Sequence, residues 1–319
     1  MRMPEDFANA WRIKRLDRGW STLLARNGSE IRVRNIGKDV AVGDYVTIDI
    51  DSERVEEILP RRSALIRRAS FEGARATPHV VAANIDTVFL LHAASSGVNP
   101  RRLERELILA FDSGAIPVVL LTKSDAVTEE IISEQTEVVR VVAPDVPVHG
   151  LSSRELNTLG VLAQYTANGE TIALLGASGV GKSTLVNALV GSRVQSVGEV
   201  REGDQRGRHT TVAVDLIELP TGGWLIDTPG LRAVSLWTSG HGIEKAFADV
   251  FRLSEDCRFR DCKHADEPGC AVSDAIGDGR LTQARLTSME RLIAEEATLE
   301  DEQREKEKAT DKRGVRKVR

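Results

Sequence analysis

The residues Gly176-Ala177-Ser178-Gly179-Val180-Gly181-Lys182-Ser183-Thr184 fit the spacing G-x-x-x-x-G-K-[ST]. Glycines at these positions let successive backbone N–H groups turn inward around phosphate oxygens, and a helix starting there adds its positive N-terminal end. Lys182 is placed to reach β- and γ-phosphates, and the Ser183 hydroxyl suits Mg²⁺. An apolar strand, "TIALLG", precedes the loop and a helical stretch, "STLVNALVG", follows it. A chance Gly-rich turn does not account for that strand–loop–helix context.

A second acidic site lies downstream. "GWLIDTPG" is an apolar strand ending in Asp227, followed by Thr228-Pro229-Gly230. Asp227 is expected to hold Mg²⁺ and the Gly230 N–H to meet a γ-phosphate. Between the two lies "GRHTTVAVDLIEL", where Thr210 or Thr211 could complete the Mg²⁺ shell from a mobile switch. Both threonines remain open, because a Thr-Thr pair before a strand is also plain β-propensity.

Upstream, "VVLLTKSD" is an apolar strand ending in Thr122-Lys123-Ser124-Asp125. A strand-end carboxylate accepts from N1–H and N2–H₂ of guanine, a donor pair that adenine lacks, and a lysine stem can lie across the purine face. The pattern resembles the [NT]-K-x-D base-reading motif of GTPases. Ser152-Ser153, in "VHGLSSREL", resembles the loop that meets the guanine carbonyl oxygen, although serine pairs are also ordinary loop residues. The order is thus base reader, backbone loop, phosphate loop, then switches. Ordinary GTPases begin with the phosphate loop. A circular permutation rebuilds the same site, because domain termini often lie near each other.

All three cysteines, Cys257, Cys262 and Cys270, fall in "CRFRDCKHADEPGC" together with His264. An odd, clustered set is a poor disulfide framework, and three thiolates with one imidazole make a closed tetrahedral zinc site of structural type. Such a site can substitute for a hydrophobic core in a small module.

The elements that must position these groups show three textures. Residues 1 to about 73 hold short alternating runs ("STLLAR", "SEIRVRN", "DYVTIDI", "RVEEIL") separated by turn signals such as Asn27-Gly28. They predict a small antiparallel barrel or sheet. Basic residues recur there (Arg26, Arg32, Arg34, Lys38, Arg61, Arg62, Arg67, Arg68), either as an RNA surface or as an ordinary solvated face. From about 80 to 235, apolar strands ("DTVFLLHA", "IPVVLLT") alternate with helical stretches ("RRLERELILAFDSG"), which predicts a mostly parallel sheet covered on both faces. The last stretch is a charged helix with a basic tail, "KRGVRKVR". Over 319 residues, 41% hydrophobic and 29% charged content fit a globular protein, and aromatics at 4% leave the core to aliphatic side chains. A net charge of −5 argues against a uniformly basic coat. With no secretory signal and no long apolar run, the expected location is the cytoplasm, without membrane association.

Taken in order, "LTKSD", "GASGVGKST", "GRHTT", "DTPG" and "CRFRDCKHADEPGC" resemble the RsgA family of small ribosomal subunit biogenesis GTPases over nearly the whole chain. The resemblance implies an N-terminal OB-fold β-barrel (1–73), a central α/β P-loop GTPase domain in circularly permuted order (74–238) and a C-terminal, mainly helical zinc-binding domain (239–319). It implies GTP as substrate, Mg²⁺ and one structural Zn²⁺, and the small ribosomal subunit and its ribosomal RNA as partners of a monomeric protein. It also implies GTP hydrolysis accelerated by the ribosomal particle. Thr122 stands where the family commonly has Asn. His209 resembles the switch histidine proposed as catalytic in the family, beside Lys182 and Asp227, while Leu231 occupies the place where many GTPases carry a water-orienting Gln. A P-loop ATPase would leave Thr122-Lys123-Ser124-Asp125 without use. A zinc-containing nucleic-acid-binding regulator with GTP as a structural ligand would show negligible turnover.

Overall fold

A computed structural model describes residues 10–68, 78–191, 214–227, 241–265 and 267–316. His209, Thr210, Thr211, Gly230 and Leu231 lie outside the described residues.

Alternation in the first segment folds as β1 (Trp11–Asp17), β2 (Trp20–Leu24), β3 (Glu30–Arg34), β4 (Tyr45–Asp49) and β5 (Arg54–Ile58). They run in the order β1-β2-β3-β5-β4, and β4 pairs back onto β1, which closes a five-stranded barrel. Ile13, Leu23, Val33, Val46 and Val55 fill its interior, as the period-two pattern requires. The sequence reading did not name β1 as a strand. Its residue Arg12 looks like a surface position but is fully buried, against the neighbouring domain. A hairpin of β6 (Ala64–Arg68) and β7 (Pro78–Ala83) follows the barrel.

The apolar runs of the middle segment become β8 (Thr87–Ala93), β9 (Ile116–Thr122), β10 (Val148–Gly150), β11 (Thr171–Gly176) and β13 (Trp224–Asp227), with β12 (Asp215–Glu218) preceding β13. Their order is β10-β9-β8-β11-β13-β12, parallel except for β12. Helices α1 (Pro100–Asp112) and α2 (Glu129–Val142) connect β8 to β9 and β9 to β10, and α3 (Lys182–Val190) follows β11. Asn99 caps α1 by accepting from the Arg102 N–H, with Pro100 opening the first turn. Leu103, Leu107 and Ile108 of α1 cover one face of the sheet, and Leu185 and Val186 of α3 cover the other. Both faces are therefore dry, which explains why these strands are apolar throughout.

The C-terminal segment is helical: α4 (His241–Ala246), α5 (Ala248–Glu255), α6 (Ala271–Gly277) and α7 (Gln283–Arg316). Its side chains Ile243, Phe247, Val250, Val272 and Leu286 join the same core cluster as α1, and Cys257 and Cys262 pack against it. This region therefore has a hydrophobic core shared with the middle segment, in addition to its Cys/His cluster. Arg285, 5% exposed, pins α7 down by donating to the Ala246 carbonyl and to Asp249, with its guanidinium 4.0 Å from the Phe247 ring centroid.

Barrel and sheet join edge to edge, where Arg15 of β1 faces Asp215 of β12 and binds its carboxylate through Nε and Nη2. Arg12 Nη2 donates to Thr171 Oγ1 at 2.7 Å, at the start of β11. Its guanidinium sits 5.3 Å from the Tyr45 ring and 5.8 Å from the Trp224 ring. Burial pushes its pKa down. Among the described residues, no helix is long and apolar enough to cross a membrane.

Candidate nucleotide site and cysteine–histidine cluster

Because β8, β9, β10, β11 and β13 are parallel, they all end on one edge of the sheet. That edge carries Thr122-Lys123-Ser124-Asp125 after β9, Ser152-Ser153 after β10, the Gly176–Thr184 loop after β11, and Asp227 as the last residue of β13. Ligand sites of open α/β sheets lie at this carboxyl end. Only β8 separates β9 from β11, so the base-reading and phosphate-loop strands lie roughly 10 Å apart, two strand spacings.

In the phosphate loop, Gly181 has φ 102°, a backbone state that side chains with a Cβ rarely adopt. Gly176 is needed for a different reason, since a Cβ there would stand 2.8 Å from the Leu91 carbonyl oxygen. Lys182 Nζ donates to the Gly176 and Ala177 carbonyls at 2.5 and 2.7 Å, which holds the ammonium across the mouth of the loop. Ser178 and Gly179 are exposed at the tip, Val180 is buried, and Ser183 and Thr184 are half-buried in the first turn of α3.

The upstream motif is tied directly to this loop. Thr122, 2% exposed, donates from Oγ1 to the Val180 carbonyl at 2.5 Å, and His92 O lies 3.2 Å away. Lys123 follows in the left-handed region (φ 59°, ψ 37°) with its side chain exposed. Strained backbone of this kind concentrates at functional turns. The Ser124 N–H donates to the Leu151 carbonyl and the Leu151 N–H to Leu121, so the β9 and β10 loops are stitched together. Ser152 is buried and bonds the Asp125 carboxyl; Ser153 is half-buried beside it. The Ser152 hydrogen bond is the largest cause of a lowered Asp125 pKa, and Arg154, whose Nη1 lies 3.5 Å from Asp125 Oδ2, lowers it further. Arg154 was not foreseen from sequence. Nothing in "SSREL" marks it, because its role depends on the β9–β10 register. Buried His92 of β8 and Glu106 of α1, 3.0 Å apart, were likewise not foreseen.

Cys257, Cys262, His264 and Cys270 converge, with one ligand atom from each lying within 4.8 Å of every other. The Cys257 and Cys270 sulfurs are 3.9 Å apart, and His264 Nδ1 lies 3.7 and 3.5 Å from them. Zn–S bonds of about 2.3 Å and Zn–N bonds of about 2.0–2.1 Å at tetrahedral angles give edges of about 3.8 and 3.6 Å. The donor set and spacing are therefore compatible with zinc. Glu267 orders the loop by accepting from the Lys263 and Ala265 N–H groups, and Cys270 caps α6 by accepting from the Ser273 N–H.

A glycine phosphate loop that follows, rather than precedes, the base-reading strand of a parallel sheet defines a circularly permuted GTPase. The RsgA GTPase family profile matches residues 58–237. A Methanosarcina acetivorans protein named small ribosomal subunit biogenesis GTPase RsgA is 43% identical over 267 residues, 82% of this chain and 71% of its own. A Streptomyces coelicolor protein of the same name is 40% identical over 293 residues, 89% of this chain and 79% of its own. Two solved structures, YjeQ from Thermotoga maritima and YloQ, described as a circularly permuted GTPase, share the fold with TM-scores of 0.66 and 0.67 at 23% identity. They cover 90% and 93% of this chain and 98% of their own. The chain belongs to the RsgA GTPase family and is a GTP-hydrolysing enzyme.

Proposed function

We propose that this chain is a ribosome-stimulated GTPase of small-subunit maturation, which binds ribosomal RNA and hydrolyses GTP to GDP and phosphate late in assembly. The observation that carries the reading is the Thr122–Val180 hydrogen bond, which joins the guanine-selecting motif to the phosphate loop. The names of the Methanosarcina and Streptomyces relatives support the ribosomal setting.

In this reading Asp125 accepts from guanine N1–H and N2–H₂, Lys123 lies across the purine, and the Ser152-Ser153 loop meets the guanine carbonyl. The N–H groups of Gly176–Thr184 surround the phosphates and Lys182 turns from its carbonyl partners onto them. Ser183 and Asp227 would hold Mg²⁺, with Thr210 or Thr211, and the ion supplies charge neutralisation at the β- and γ-oxygens. Gly230 meets the γ-phosphate. His209 orients or deprotonates the attacking water, since Leu231 offers no polar atom for that task. The Cys257–Cys262–His264–Cys270 cluster holds one structural zinc. The chain acts as a monomer in the cytoplasm.

GTP hydrolysis with and without purified small subunits tests the reading. A large stimulation by the particle is expected, and identical rates with and without it overturn the ribosome-stimulated role. His209→Ala is expected to lose most of the stimulated rate while keeping GDP affinity.

A further inference from the structure

Trp20 is a large aromatic on the outside of the barrel. Its strand neighbours Ser21 and Leu23 point inward and are fully buried, as is Val33 opposite Ser21, so Trp20 belongs to the alternate, outward row. Across β2–β3 it faces Arg34, with Arg32 one step diagonal on the same face. Both guanidiniums lie over its ring, at 5.1 Å for Arg34 and 5.2 Å for Arg32. The row continues from Arg34 to Arg54 on β5 and, on the other side, from Trp20 to Asp17 on β1. In this row and the turn leading into it, Arg18, Arg32, Arg34 and Arg54 stand against two carboxylates, Asp17 and, opposite Arg54 on β4, Asp49, in a chain whose net charge is −5. Asp17 meets Arg32 at 3.5 Å with both side chains about half exposed, a contact that solvent screens.

Nothing in the barrel's own packing requires an indole here. Cation–π contact with two arginines holds the ring at low entropic cost, and planar guanidiniums over an indole offer a flat, positively charged surface on which a base can stack. Stacking surface combined with cations is the physical recipe for an unpaired nucleic-acid strand. The outer face of the second and third strands is also where small closed barrels of this kind take oligonucleotides.

We propose that Trp20, framed by Arg32 and Arg34, is a stacking platform for an unpaired base of single-stranded RNA, with the arginines taking the flanking phosphates. The inference rests on the RNA-binding reading above and assigns that contact to one face.

The test uses the full chain, a fluorescein-labelled 12-nucleotide oligouridylate and, as a polyanion control, poly-L-glutamate. Wild type is expected to bind the oligouridylate more tightly than poly-L-glutamate. Trp20→Ala is expected to weaken RNA binding by about 5- to 150-fold, the value of one stacked base, while Trp20→Phe retains most of the affinity. Arg34→Gln is expected to reduce the slope of log affinity against log salt by about one. Unchanged GDP affinity in all three variants reports an intact fold. Wild-type affinity in Trp20→Ala, no binding by wild type, or equal binding of poly-L-glutamate would each overturn the platform. Co-sedimentation with small subunits separates the two readings. If wild type and Trp20→Ala both sediment equally, the platform fails and the ribosomal reading stands. If wild type does not sediment, the ribosomal reading fails while the oligouridylate comparison still decides the platform.

Discussion

The Thr122 hydroxyl lies 2.5 Å from the Val180 carbonyl oxygen, 58 residues further along the chain, and donates a hydrogen bond to it in a buried setting. The strand that ends in the base-reading motif is thereby fastened to the loop built for phosphates. Thr122→Val keeps the shape and removes the donor, leaving a buried carbonyl without this partner. That costs on the order of 1–3 kcal/mol. GDP affinity by calorimetry is expected to fall by about 5- to 150-fold, with Thr122→Ser close to wild type. Unchanged affinity in Thr122→Val would show that the bond does not organise the site.

Ser152 is the largest influence holding the Asp125 carboxyl below its ordinary value of 3.8. A carboxyl with a lowered pKa stays ionised as pH falls and loses its charge only below that value, so guanine recognition persists into mild acid. Ser152→Ala removes the strongest contribution, and the Asp125 titration followed by carboxyl NMR is expected to move up toward 3.8. A midpoint that stays put would transfer the effect to Arg154.

The cysteine–histidine cluster packs against the core it shares with α1, so metal loss should be felt beyond its own loop. Elemental analysis is expected to find one zinc per chain, and Cys262→Ser to abolish it. Thermal unfolding followed through GDP binding is expected to shift downward in that variant. A metal-free wild-type protein with an unaltered melting point would refute a structural zinc.

Gly176→Ala would force a Cβ to 2.8 Å from the backbone oxygen of Leu91. Neither atom belongs to a flexible side chain, so the loop must shift. Loss of nucleotide binding with little change in melting temperature is the expected result, and binding at wild-type strength would contradict this geometry.

Much of this site could be read from spacing alone. Gly176–Thr184, Asp227 and the four zinc-type ligands are local patterns whose chemistry follows from residue type, and the buried strands β8, β9, β11 and β13 are apolar at nearly every position. The unread parts depend on tertiary register. Arg12 disguised β1 because a buried, stacked arginine looks like surface in a sequence, and Arg154 reaches Asp125 only through the pairing of β10 with β9. The sharing of one core by α1 and the C-terminal helices is likewise invisible, since Phe247 and Leu286 carry no sign of what they will face.

The central claim, that Asp125 and the Lys182 loop serve one guanine nucleotide, is tested most directly by displacement of a fluorescent GDP analogue from wild type and from Asp125→Asn. Wild type should release it to GTP and hardly at all to ATP. Asp125→Asn, whose amide matches the C2 carbonyl of xanthine, should lose GTP affinity and gain XTP affinity. Equal displacement by ATP and GTP in wild type, or an unchanged base preference in Asp125→Asn, would contradict it.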